Sequence, residues 1–262
     1  MSERTSYAPG TFSWTDLGTT DVTGAKAFYG GLFGWEAEDM PIGDAGFYTM
    51  FQLGGKNVAA THEQQREQRA QGVLPNWLSY VSVDDIEARA AKAKALGGTL
   101  VLEPIDVFDS GRMALLADPE GAMLGLWSPQ KHIGAELVNE PGTLGWNELA
   151  TRDVEAAKRF YTGLFDWETE EQDMGVGPYT VVKVGDQMNG GMLQMTEEWG
   201  ELPAHWMVYF GVADADASAA RVIELGGQVR VPVTKIAIGR FAVVSDPQGA
   251  VFTIFQGYDT DG

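Results

Sequence analysis

The sequence predicts an α+β protein made of two tandem copies of one unit, and three observations lead there. The first is a repeat: residues 11–36 read TFSWTDLGTTDVTGAKAFYGGLFGWE and residues 143–168 read TLGWNELATRDVEAAKRFYTGLFDWE, with 15 of 26 positions identical at an offset of 132. The second is a pair of helical patterns in each copy. The third is a D-P-x-G tetrad near the end of each copy, Asp118 to Gly121 and Asp246 to Gly249, with Asp, Pro and Gly at the places a tight turn favours.

The elements follow in order. Phe12–Leu17 reads as a strand. Asp21 then caps a helix carrying Val22, Ala25, Phe28, Tyr29 and Leu32 at helical spacing, and Asp153 repeats this with Val154, Ala157, Phe160, Tyr161 and Leu164. Tyr48–Leu53 and Leu78–Val83 read as strands. A second helix runs from about Asp85 to Leu96 and stops at Gly97; its counterpart runs from Asp214 to Leu225 and stops at Gly226. Arg112–Leu116 and Ala122–Trp127 form a hairpin across the D-P-x-G turn. Later landmarks repeat at slightly smaller offsets: Trp77 and Tyr80 match Trp206 and Tyr209, and Gly111-Arg112 matches Gly239-Arg240. Small deletions therefore fall between elements, where loops tolerate them.

The expected organisation is an N-terminal tail at 1–10, a first domain at 11–128, a surface linker at 129–142, a second domain at 143–257 and a C-terminal tail at 258–262. The polar stretches His62–Gly72 and Thr196–Glu201 read as exposed connections, and Gly54-Gly55 and Gly190-Gly191 as tight turns.

Composition narrows the functions. With 18 Lys plus Arg against 37 Asp plus Glu, the net charge of −19 repels phosphate backbones and anionic lipid, so neither nucleic acid nor membrane is an expected partner. Cysteine is absent, which removes disulfides, thiolate metal sites and thiol nucleophiles. No apolar leader or membrane-length run is visible, so a cytoplasmic protein is expected. No P-loop, G-x-S-x-G elbow or dinucleotide fingerprint appears.

The W-x-D/E-L strand, the D-x₆-F-Y helix, the L-G-G stop and the D-P-x-G hairpin together resemble the vicinal oxygen chelate superfamily of glyoxalase, bleomycin-resistance and dioxygenase domains. The resemblance spans roughly Thr11 to Phe255 and is strongest to its tandem actinobacterial branch of glyoxalase-like and hydroxylase-like proteins. It implies four βαβββ modules curled into two cups. Metal-using members place His, Glu or Gln at four inward positions of a cup. Carried onto this chain, those positions hold Trp14, Leu78, Gly125 and a residue near Ala60, then Trp146, Met207, Thr253 and a residue near Gly191. That is not a chelating set, so no metal and no cofactor are expected. Of three histidines, His132 falls in the linker, His205 just before a strand, and only His62 stands within two residues of an inward position.

The family's inward register instead lines the first cup with Trp14, Asp16, Tyr80, Met123 and Trp127. It lines the second with Trp146, Glu148, Tyr209, Val251 and Phe255. Aromatic walls with one carboxylate suit a small, partly aromatic metabolite or antibiotic-like ligand. The leading expectation is a metal-independent binding protein. The alternative is a glyoxalase-like or hydroxylase-like enzyme using Asp16 or Glu148 as acid or base, or a borrowed organic cofactor. Structural readings compete with both: the aromatics as packing, the carboxylates held by backbone amides or Arg112, one copy kept only to complete a pseudo-dimer. A monomer with that internal pseudo-dimer, or a weak homodimer, is expected.

Overall fold

The computed structural model describes residues 3–43, 46–173 and 177–258; the outer ends of both expected tails lie outside them. The first copy runs β1 (Phe12–Thr19), α1 (Val22–Phe33), β2 (Glu36–Pro41), β3 (Phe47–Leu53), β4 (Lys56–Glu63), α2 (Arg66–Ala70), β5 (Asn76–Ser82), α3 (Ile86–Ala95), β6 (Thr99–Val107), β7 (Gly111–Ala117) and β8 (Met123–Pro129). The second runs β9 (Leu144–Thr151), α4 (Val154–Phe165), β10 (Glu168–Asp173), β11 (Pro178–Val184), β12 (Gln187–Gln194), β13 (His205–Gly211), α5 (Ala215–Glu224), β14 (Gln228–Ile236), β15 (Gly239–Ser245) and β16 (Val251–Gly257). Asp21, Asp85, Asp153 and Asp214 each cap a helix by accepting from the amide three residues on, which satisfies a donor the first turn leaves open.

Each copy forms one curled eight-stranded sheet, ordered β2-β3-β4-β1-β5-β8-β7-β6 and β10-β11-β12-β9-β13-β16-β15-β14. Two four-stranded halves join along antiparallel β1 and β5, or β9 and β13. The alternation of side chains sorts each strand into two faces. On β13, Trp206, Val208 and Phe210 are buried on the convex side, and Met207 and Tyr209 are half-buried on the concave side.

The helices lie on the convex faces, and the two sheets meet back to back where β5 touches β13. The core is therefore shared. One cluster joins Phe28, Tyr29, Trp35 and Trp77 of the first copy to Phe210 and Phe252 of the second. The other joins Val81, Ile86 and Leu124 to Phe160, Tyr161, Trp167 and Trp206. Each such side chain contributes roughly 1.5–3 kcal/mol on burial, so neither copy keeps its core without the other. Two symmetric polar nodes cross the interface. Tyr29 Oη donates to Asp246 (3.1 Å) and accepts from Trp77 Nε1 (3.0 Å); Tyr161 Oη donates to Asp118 (2.9 Å) and accepts from Trp206 Nε1 (2.8 Å).

Three expectations change. The linker is not a free surface segment: Gly134, Ala135 and Val138 are buried, and its backbone bonds to β1 and β4 through Ala135 N to Ser13 O and Glu136 N to Asn57 O, both 2.7 Å. His62 is not in a connection but in β4, and Gln64 just after it is buried because its amide ties Val73 and Leu74. Gly190-Gly191 is not a turn: both residues lie within β12, where close approach of Phe12 and Tyr179 leaves no room for a Cβ. Gly54-Gly55 does turn β3 into β4, with φ of +58° and +74°.

Candidate functional site

Strand register brings the concave residues together. Ala60, Asp16 and Leu78 form one row across β4, β1 and β5; Trp14, Tyr80 and Gly125 form the next across β1, β5 and β8. Asp16 sits at the floor of the first cup. Its Oδ2 accepts from Tyr48 Oη (3.0 Å) and Tyr80 Oη (3.1 Å), and Tyr48 Oη accepts in turn from Trp14 Nε1 (2.9 Å). Its Oδ1 is buried without a partner, and His62 Nδ1 stands 3.9 Å from Oδ2. The second cup repeats the chain. Glu148 Oε1 accepts from Tyr209 Oη (2.7 Å), Tyr179 also bonds this carboxylate, and Trp146 Nε1 donates to Tyr179 Oη (2.8 Å). Gly125 and Gly191 make room: a Cβ there would come within 2.1 Å of Tyr80 and Tyr179 respectively.

The carboxylates are held by tyrosines, not by backbone amides and not by Arg112, which pairs with Glu87 and Asp106. Tyr48 and Tyr179 escaped the sequence reading. The signal was a Tyr-Thr pair followed by Gly six residues after the Tyr, at Tyr48…Gly54 and Tyr179…Gly185.

The cups differ in access. In the first, Trp14, Asp16, Tyr80 and Trp127 are 4–6% exposed, with Met123 half-buried at the rim. In the second, Trp146, Glu148, Met207, Tyr209, Val251 and Phe255 all remain half-buried. Part of the difference is the linker, which covers Trp14 and Trp127. The His132 ring lies 4.5 Å from Trp14 and 5.7 Å from Trp127, and its carbonyl accepts from Trp127 Nε1 at 2.8 Å. Burial pushes the His132 imidazole down to about 4, so it packs there as a neutral ring.

Burial also raises the Asp16 carboxyl, against the opposing pull of His62, Tyr48 and Tyr80; burial raises Glu148 against Tyr209 and Tyr179. The tyrosines beside them are pushed up, first by burial and then by the neighbouring carboxylate, and stay neutral donors. The sign for stability follows. With the folded Asp16 carboxyl above its ordinary 3.8, stability declines as pH rises from about 4 through the folded value, and does not recover above it. Asp16→Asn removes that titration. The variant is expected to melt on the order of 2–4 °C above the parent at pH 8, with the gap closing towards pH 4. A series of melting curves against pH checks this, and a variant less stable at every pH contradicts it.

The chelate positions supply no set of donors. Trp14, Ala60, Leu78 and Gly125 offer an indole, a methyl, an alkyl chain and a hydrogen, and the second cup offers only the Met207 thioether and the Thr253 hydroxyl. No group of three or more His, Asp or Glu is placed to hold a metal ion among the described residues. The residues present do not fit the family's metal.

Comparison with known proteins agrees with the architecture. The model for the Glyoxalase/Bleomycin resistance protein/Dioxygenase superfamily matches residues 11–126, and the model for a glyoxalase-like domain matches residues 147–255. The chain is 42% identical over 259 residues to "Putative glyoxylase CFP32" of Mycobacterium tuberculosis, covering 98% of each. It is 35% identical over 262 residues to the anthracycline biosynthesis protein DnrV of Streptomyces peucetius, covering 96% of this chain and 95% of that one. Among solved structures, the Mn(II)-bound glyoxalase from Novosphingobium aromaticivorans superposes with a TM-score of 0.64 at 15% identity, covering 97% of this chain and 85% of that one. The likeness to that structure concerns the fold alone. The chain belongs to the glyoxalase/bleomycin resistance/dioxygenase superfamily, as a tandem two-domain member with the vicinal oxygen chelate fold.

Proposed function

We propose that this protein binds a small, partly aromatic metabolite or antibiotic-like molecule in its concave sheets, without a metal. One observation carries the reading: the positions where the family places metal donors hold Trp14, Ala60, Leu78 and Gly125, while Trp, Tyr and one carboxylate line the same surface. Flat rings stack on such walls, and a carboxylate held by neutral tyrosines favours a donor or cationic group on the ligand. The name of DnrV connects that relative with anthracycline biosynthesis, and a cationic aromatic ligand fits this surface. An acidic chain of net charge −19 attracts such a cation. The partner in this reading is a small molecule, not nucleic acid or membrane. No helix among the described residues is long and apolar enough to cross a bilayer. The protein acts in the cytoplasm as a monomer, its shared core serving as an internal pseudo-dimer.

The test is titration of the purified protein with an anthracycline, followed by tryptophan emission, alongside elemental analysis. Saturable quenching, ligand recovered unchanged and a divalent metal content well below one per chain are expected. A stoichiometric metal, or conversion of the ligand, overturns the reading. The buried carboxyls favour one competing account, an acid–base enzyme. It requires Asp16→Asn or Glu148→Gln to lose about 10²–10⁴-fold in turnover with binding retained.

A further inference from the structure

A cavity of about 230 Å³ opens beside Trp146, lined also by Gly145, Asn147, Met188, Asn189, Tyr7 and Arg4. Its meaning comes from the repeat. Ser13 corresponds to Gly145, and Asn57 to Met188, because Ala60 and Gly191 face Asp16 and Glu148 in the same register. In the first copy that place is filled by the linker. Ala135 N bonds Ser13 O, Glu136 N bonds Asn57 O, and the Asn57 amide donates to the Glu136 carboxylate at 2.8 Å. In the second copy the residue at the same offset of 132 from Glu136 is Arg4; its backbone pairs with the linker instead, the amide donating to Glu136 O while Glu3 bridges Leu137, and its side chain borders the slot. The slot beside Trp146 is left open.

The filled slot shows what the open one accepts. It takes a carboxylate on a backbone amide, with a ring against the strand tryptophan: in the first copy, Glu136 and the His132 ring on Trp14. The open slot carries the same features in a more anion-seeking form. Its lining holds no Asp or Glu in a chain of net charge −19, and its one charged group is Arg4. The exposed Arg4 guanidinium forms no ion pair with a described carboxylate. Arg4 and Met188 both border the slot, and a guanidinium together with a backbone amide suits a planar oxyanion. The volume is right for one ring, since an apolar cavity of about 150 Å³ accepts benzene.

We propose that this slot is a binding site for a single-ring aromatic carboxylate, its ring on Trp146 and its carboxylate between Arg4 and the Met188 amide. The inference rests on the aromatic-ligand reading, in which rings stack on the strand tryptophans, and adds to it one site per chain, in the second copy, that is distinct from the carboxylate floor and takes an anionic ring.

The experiment uses the full chain labelled with 5-fluorotryptophan, with the Trp14 and Trp146 resonances assigned through their Phe variants. Phenylacetate is titrated against its neutral analogue phenylacetamide, in the parent and in Arg4→Gln. Phenylacetate is expected to shift Trp146 saturably, one per chain, with Trp14 unmoved; the amide and the Arg4→Gln variant each bind tenfold more weakly or worse. Equal binding of acid and amide, indifferent to Arg4→Gln, overturns the carboxylate site and leaves aromatic binding standing. A shift of Trp14 together with Trp146 overturns the assignment to the second copy. Silence at both tryptophans overturns this site, and silence towards an anthracycline as well overturns the reading beneath it.

Discussion

Asp246→Ala is expected to lower the unfolding free energy by on the order of 3–5 kcal/mol. Asp246 Oδ1 accepts from the amides of Gln248 and Ala250, both at 2.9 Å, and Oδ2 accepts from Tyr29 of the other copy. The residue is 2% exposed. Truncation leaves these donors short of an acceptor in a place water does not reach, and each such group costs about 1–3 kcal/mol. Asp118→Ala is expected to do the same, since Asp118 accepts from Glu120, Ala122 and Tyr161. Tyr29→Phe removes one of those bonds and also leaves the buried Trp77 Nε1 without its acceptor, so it should cost about 2–4 kcal/mol. Asp246→Asn keeps an acceptor for the turn and is expected to be the mildest. Urea unfolding of the four variants measures this. A loss under 0.5 kcal/mol in Asp246→Ala contradicts the assignment, and so does separate melting of the two copies, because the core clusters are shared between them.

The contrast between fold and site in what the sequence made legible has a physical cause. Helix caps, the D-P-x-G hairpins and the first strand depend on local chemistry repeated twice, so the residues that make them stand out at a fixed offset. The concave register came from the resemblance to the family, and the strand pairing does place Trp14, Asp16, Tyr80 and Trp127 on one surface. What binds the Asp16 carboxylate was not legible, because Tyr48 reaches it from a strand 32 residues away through a register that no local pattern encodes. Arg112 was an attractive partner by charge, yet the sheet aims it at Glu87 and Asp106. The linker misled for another reason. Pro129, Gly134, Pro141 and Gly142 read as a loose connection, and loops that are buried do carry turn residues when their amides find partners.

Gly134→Ala is expected to free that linker and open the first cup. Gly134 has φ of +110°, a conformation other residues adopt only with strain, and an added Cβ would stand 2.3 Å from Ser13 O and 2.9 Å from Ser13 C. Both are backbone atoms of β1, so the sheet does not yield and the linker must lift. The bonds of Ala135 to Ser13 O and of Glu136 to Asn57 then go, and the His132 ring leaves Trp14 and Trp127. The expected loss is about 2–4 kcal/mol, bounded above by the free energy that docks the linker, because the segment detaches without unfolding the shared core. Tryptophan emission should shift to the red and quenching by acrylamide should rise, while far-UV circular dichroism stays near that of the parent. His132→Ala is the matched control: it removes the ring and leaves the backbone bonds, so the exposure of Trp14 rises with a smaller loss of stability. If Gly134→Ala melts with the parent and its tryptophans stay shielded, the linker is not what closes the first cup. If both variants expose Trp14, the difference between the cups lies in one strap of chain laid over the first, and the two concave surfaces beneath are equivalent in kind.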